Sequence, residues 1–214
     1  TDALCPEMLA VEIGERLGVM IAPTISIGMA QHHLGFAGSV TLRPSTLIAV
    51  VCDVINSLSR HGFDKFFFLN GHGGNIATLS AAFSEIYAES SLGTAGTNRP
   101  SVRCCVENWW THNSIRDISK KYFGDSEGSH ATPSEVALTY YGYPEDGERV
   151  SKNILKPKIA PKGPIYDAAD YRRRFADGRI GSDPSLASKH IGMELFEAAV
   201  QGLGKSFVEF VKAD

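Results

Sequence analysis

A chain of 214 residues, 43% hydrophobic and 21% charged, suits one α/β domain with a substantial core. Its formal net charge of -3 offers no basic face to attract nucleic acid or an anionic membrane. No apolar run reaches the roughly 18 residues of a membrane span and no signal peptide opens the sequence.

Four cysteines (Cys5, Cys52, Cys104, Cys105) lack CxxC spacing and read as buried, reduced thiols of a cytoplasmic protein. Along the chain, helical and strand periods alternate, the pattern of a parallel sheet covered on both faces. From Asp2 to Leu17, Leu4, Met8, Val11 and Ile13 recur at helical spacing among glutamates, and Gly18 ends the helix. Val19 to Ile27 is a short β-rich run interrupted by Pro23. A glycine-rich loop with His32 and His33 follows, then a small strand from Ser39 to Leu42. A helix starts near Pro44 and Ser45, buries Leu47, Val50, Val51, Val54, Ile55 and Leu58, and stops at Gly62. Lys65 to Leu69 is a continuous apolar run, the mark of a central parallel strand. It leads into Asn70-Gly71-His72-Gly73-Gly74-Asn75 and a helix from Ile76 to about Ser90. After a surface loop from Leu92 to Pro100 comes a strand from Val102 to Trp110. A helix near Ser114 to Phe123, a loop to Ala131 and a helix from Pro133 follow. Residues 144–186 read as an irregular excursion with one short helix near Ala168 to Phe175. Ser188 to Lys212 closes the chain as an amphipathic helix.

Ligands in open α/β sheets bind where loops leave the carboxyl ends of the strands, and a central strand ending in NGHGGN puts His72 there. The glycines around it, Gly73 included, allow close approach of a ligand. The loop matches neither GxGxxG nor GxxxxGK[ST] and has no Lys or Arg, which sets a phosphate-cradling role aside. Downstream, Thr132-Pro133-Ser134-Glu135 has the form of a capping box, a structural job for Glu135. His130 precedes that helix start beside the acidic Glu127, a plausible proton carrier near neutral pH. His32 and His33 are neighbours that seldom turn both rings to one ion, so one of them, His33, is expected to line a pocket. Trp109 and Trp110 end a strand on the same rim and suit a flat substrate wall or the core.

Taken together, these residues resemble the creatininase (creatinine amidohydrolase) family over nearly the whole chain. The likeness lies in Thr1-Asp2 before a helix, Ala22-Pro23, His33-x-x-Phe36-x-Gly38-Ser39-x-x-Leu42 and Pro44-x-Thr46-Leu47. It continues through NGHGGN, His130-x-x-x-x-Glu135 and Gly181-x-Asp183-Pro184. The resemblance implies an αβα sandwich around a mainly parallel sheet, one or two divalent ions, and hydrolysis of C–N bonds in small amides. It also implies a homo-oligomer, commonly a hexamer. By the same likeness, Asp2 matches an aspartate bridging two metals and His72 a metal-binding histidine. His130 matches the acid or base, Glu127 the acidic residue three positions before it, and one tryptophan an aromatic that closes on substrate. Creatininase itself has a metal-binding glutamate at the position of Gly74, which makes Glu135 the expected replacement, its side chain leaving the capping box. The family's Glu-x-His-Gly segment, with two more ligands, is expected ahead of Thr1.

The reading that results is a metal-dependent amidohydrolase, with Asp2, His72 and Glu135 as ligands of Zn or Mn, Fe being possible. His33, Trp109, Trp110 and Gly73 then face a small amide substrate, and His130, with Glu127 orienting it, donates a proton to the leaving nitrogen. The rival is a non-catalytic member that binds a small ligand or partner and keeps only the scaffold.

Overall fold

The apolar run from Lys65 to Asn70 forms β1, which pairs in parallel with β2 (Arg103–Asn108) in the register Phe66 to Cys104 and Asn70 to Asn108. The computed structural model describes residues 1–93, 101–149 and 154–213, and among these the two strands make up the sheet. Around it lie α1 (Leu4–Leu17), α2 (Pro44–Ser59), α3 (Ile76–Ser91), α4 (Asn113–Tyr122) and α5 (Pro133–Gly142), followed by α6 (Pro144–Arg149), α7 (Ala168–Arg174) and α8 (Lys189–Lys212).

Alternation along β1 sorts the helices into two layers. Phe66 and Phe68 face α2 and α3, joining Leu47, Val51, Ile55, Leu79 and Phe83 in one core. Phe67 and Leu69 face the other way. The Phe67 ring meets Phe207 and Phe210 of α8, and Leu69 packs on a second core built from α1, α4, α5 and α8. The result is a three-layer α/β arrangement with a small parallel sheet. No helix among the described residues is long and apolar enough to cross a membrane.

Several local expectations change. The strands expected at Val19 to Ile27 and Ser39 to Leu42 do not form. The two segments meet through the Leu42 amide on the Gly28 carbonyl (2.9 Å) and the Ala30 amide on Thr41 Oγ1 (2.8 Å), which does not make a ladder. β2 stops at Asn108, and Trp109–Thr111 turn into a 3₁₀ helix. The face that α1 buries is Cys5, Leu9 and Ile13, leaving Leu4 and Val11 exposed. Beyond α5 a second short helix, α6, joins α7. Cys5 and Cys52 are buried as expected, while Cys104 and Cys105 are half-buried; all four are free thiols. Most of the surface loop expected at Leu92 to Pro100 lies outside the described residues.

Candidate metal and catalytic site

β1 ends on Asn70, and two asparagines hold the turn that follows. Asn70 is buried, and its Nδ2 donates to the His72 carbonyl (2.8 Å) and to Asn108 Oδ1 (2.7 Å). Its Oδ1 accepts from the His72 amide (3.2 Å) and from Asn75 Nδ2 (3.1 Å). Asn75 Oδ1 accepts from the Met29 amide (2.9 Å), tying the loop to the segment before His32. At Gly71 a Cβ would stand 1.9 Å from the Asp2 carbonyl oxygen, so only glycine lets the start of α1 settle against the strand end. That contact brings Asp2 Oδ2 within 3.2 Å of His72 Nδ1. Burial disfavours the charged form of His72, but the hydrogen bond and charge of Asp2 outweigh it and raise the imidazole's pKa. The Asp2 carboxyl, which burial alone would raise, is lowered by the same pair.

Gln31–His33 form a 3₁₀ turn that gathers both histidines. Their ring centroids lie 4.1 Å apart, and 5.8 and 5.7 Å from that of His72. Ligand nitrogens of the three residues all lie within 4.8 Å of one another. The fully buried ring of Tyr171, from α7, packs 5.6 Å from His32 and 5.1 Å from His33, its hydroxyl donating to the Gly178 carbonyl (2.7 Å). Burial first, and the neighbouring imidazoles second, push His32 down to about 4 and His33 to about 3. Both therefore keep a free lone pair at neutral pH. Nε2 of His33 is buried without a hydrogen-bond partner, and Nε2 of His72 makes no bond of good geometry, although the Met29 carbonyl lies near the ring. Imidazole nitrogens that converge beside a carboxylate suit a borderline divalent ion. Asp2 on Nδ1 of His72 is the kind of outer partner that fixes a ligating tautomer. Gly74 does not obstruct this: a Cβ there would stand 2.6 Å from His72 Nε2 and 2.5 Å from the Met29 carbonyl oxygen.

His130 joins from the far side, its ring 4.4 Å from His33. Its carbonyl accepts from Ser182 Oγ (2.7 Å) and from the Ile180 amide (3.3 Å), so residues 180–182 pin the loop. Ala131, next in the chain, is the one non-glycine with positive φ (52°) among the described residues, a strained link between His130 and the cap of α5. Burial lowers the pKa of His130, while Glu135 and Asp2 pull it back.

Glu127 is held differently from expectation. The Ser134 hydroxyl donates to its Oε1, its Oε2 is buried without a partner, and among the described residues no hydrogen bond joins it to His130. Burial raises its pKa, with the hydrogen bond of Ser134 opposing. Glu135 also departs from expectation, because the capping box is complete. Thr132 Oγ1 accepts from the Glu135 amide (3.3 Å) and Glu135 Oε2 accepts from the Thr132 amide (3.2 Å). Its Oε1 accepts from the Thr1 hydroxyl (2.6 Å), so the cap also reaches the Thr1-Asp2 end of the site.

Asp2, His72, Gly73, Trp109, Trp110, Glu127, His130 and Glu135 all line one cleft of about 450 Å³. His33 is not among its lining residues, and packs instead against His72, His130 and Tyr171. Trp109 is 3% exposed and belongs to the core as much as to the wall, whereas Trp110 is half-buried. The sequence motifs give no ligand role to His32 and single out neither Tyr171 nor, among the cleft residues, Arg116 and Lys120. The His32-His33 pair was itself the signal for the first, and only the tertiary fold brings in the others.

The family model for creatininase, described as creatinine amidohydrolase, matches residues 1–207. The chain belongs to the creatininase family. With the family comes its class of chemistry, hydrolysis of carbon–nitrogen bonds. Creatinine amidohydrolase of Pseudomonas putida is 26% identical, covering 97% of this creatininase-family chain and 81% of its own length. Mycofactocin precursor peptide peptidase of Mycolicibacterium smegmatis is 30% identical over 94% of this chain and 74% of its own. Among solved structures, a creatininase mutant of Zn-Zn type superposes with a TM-score of 0.76 at 25% identity, covering 99% of this chain and 83% of that one.

Proposed function

We propose that this chain is a metal-dependent amidohydrolase that cleaves a C–N bond of a small amide with a metal-activated water. The observation that carries the reading is the convergence of His32, His33 and His72 beside a cleft lined by His130 and Glu127. The residues to hold the ion are His72 with Asp2, then His32 and His33, and Glu135 through the oxygen that now accepts from Thr1. Imidazole and carboxylate donors suit Zn or Mn, with Fe possible, and the Zn-Zn creatininase supports zinc first. When bound, a divalent ion supplies Lewis acidity that makes water a nucleophile near neutral pH and polarises a carbonyl.

The side chains do the rest. Asp2 accepts from Nδ1 of His72 and so keeps its Nε2 lone pair available. His130, which its lowered pKa keeps mostly neutral near pH 7, accepts a proton at its ring and then passes it to the departing nitrogen. Glu127, raised by burial and steadied by Ser134, takes or returns a proton at its unpartnered Oε2. The indole of Trp110 offers an apolar wall to the substrate. A cleft of about 450 Å³ suits a small molecule. Creatinine is one amide to try, from the Pseudomonas relative, and a short peptide is another, from the mycobacterial one. A single domain, a homo-oligomer and a cytoplasmic location complete the proposal, the last supported by four free thiols.

The test is elemental analysis of the purified protein and of His72→Ala, with hydrolysis of an amide panel that includes creatinine. Expected are near-stoichiometric Zn or Mn in the parent, its loss in the variant, and hydrolysis that follows the metal. A parent that takes up no divalent ion and hydrolyses no amide after Zn or Mn is added refutes the proposal.

A further inference from the structure

We infer that Arg116 and Lys120 form an anion subsite in the cleft, so that the amide substrate carries a carboxylate. The inference rests on the amidohydrolase reading above and narrows its substrate class. Both residues lie on α4, one turn apart, and both line the cleft together with Trp110. The helix that carries them is anchored by buried Ile115 and Ser119 and capped by His112, whose ring accepts from the Ser114 amide.

They are the two Lys or Arg residues in the cleft lining, and among the described residues neither is engaged by another side chain. Lys121, next in sequence, is engaged by Glu194 and Tyr122, and Arg16, Arg149, Arg173, Arg174 and Arg179 each hold a carboxylate. Among the described residues, Arg116 and Lys120 have neither a carboxylate within salt-bridge reach nor a side-chain hydrogen bond. The cleft's own acids bond to other groups, Asp2 to His72, Glu127 through Oε1 to Ser134, and Glu135 to Thr132 and Thr1. The cleft lining therefore combines imidazoles and carboxylates with two unpaired cations carried by α4. Like charges one helical turn apart repel, and a bound anion relieves that repulsion. An amide presented to His130 while its carboxylate meets the Arg116 fork satisfies both sets at once, because guanidinium and carboxylate match in a planar, bidentate contact.

Trp109 and Trp110 line the same cleft, so tryptophan fluorescence reports binding without turnover. The probes are N-acetylglycine and its uncharged N-methylamide, titrated at low and at high salt, with turnover of each measured separately. The expected result is binding about 10-fold or more tighter for the carboxylate, a margin that shrinks with salt. Arg116→Gln and Lys120→Gln should each reduce it and the double variant abolish it, while Lys121→Gln retains it. Equal binding of the two probes, no binding of either, or a preference that survives the double variant overturns the inference. Carboxylate preference without hydrolysis of any amide would count against the amidohydrolase reading alone, whereas hydrolysis of both probes without preference would count against the subsite alone.

Discussion

Replacing Gly71 with alanine asks whether the close approach of α1 to β1 is what assembles the site. The added Cβ would stand 1.9 Å from the Asp2 carbonyl oxygen and 2.8 Å from Pro6 Cγ. Carbon and carbonyl oxygen in contact need roughly 3.3 Å, so the start of α1 must retreat by about 1.4 Å. Gly71 is not one of the glycines at positive φ, which leaves the clash as the only new element. A retreat of that size stretches the 3.2 Å contact of Asp2 with His72 Nδ1 beyond hydrogen-bonding range. Overpacking of this kind costs about 1–3 kcal/mol, a fall in melting temperature of roughly 2–12 °C for a chain of this size. Misplacing a site residue by about 1 Å costs on the order of 10²-fold in turnover. Thermal unfolding followed by circular dichroism, with and without added zinc, measures the first, and amide hydrolysis the second. Gly73→Ala serves as control for stability, since a Cβ there meets nothing within 4 Å. If Gly71→Ala melts with the parent and binds metal as tightly, the contact does not position Asp2.

Glu135→Gln separates the cap from the ligand, because glutamine also closes a capping box. Stability in chelator should change by no more than about 1 kcal/mol, while metal affinity and activity fall; unchanged affinity confines Glu135 to the cap. His130→Ala should keep its metal and lose about 10² to 10⁴ in turnover, and full turnover across the neutral range would remove His130 from the chemistry. In the metal-free protein, His32 and His33 titrate at about 4 and about 3, below their ordinary value of 6.5. Over that interval the unfolded chain binds more protons, so stability falls as pH drops from 6.5 towards 3. His72, raised by Asp2, works in the opposite sense, its contribution fading as pH rises through its folded value. His33→Gln should flatten the acid limb of the denaturation midpoint against pH, and an unaltered limb contradicts the assignment.

Long, strongly patterned elements were readable from the residues alone. α2, α3, α8 and β1 fall within a residue or two of their sequence signals, because each buries one stripe or face against a large core. The two strands expected at 19–27 and 39–42 failed for a reason no local pattern contains: β-branched composition says that a segment can pair, not that a partner lies beside it. At the site, NGHGGN places His72 just past the carboxyl end of β1, where the structure has it, and Thr132-x-x-Glu135 spells out the capping box that forms. Adjacent residues such as His32 and His33 seldom turn both rings to one ion, but here they sit in a 3₁₀ turn, where both rings gather with His72. Tyr171 reaches those rings from well over a hundred residues further along the chain, and no periodicity records such a contact.

The asparagine that frames His72 also bears on how the protein ages. Asn-Gly is a sequence at which deamidation runs fast, because the glycine amide nitrogen attacks the asparagine side-chain carbon without steric hindrance. Asn70 is followed by Gly71, but its amide is 5% exposed and committed to four hydrogen bonds. Swinging into the cyclising geometry would break them, at about 0.5–1.5 kcal/mol each, and would leave the His72 amide and Asn108 Oδ1 without the bonds they make to it. While folded, the protein is thereby protected from succinimide formation at Asn70. Isoaspartate should accumulate there only as fast as the carboxyl end of β1 opens, which makes the Asn70-Gly71 bond a chemical clock for local unfolding at the site.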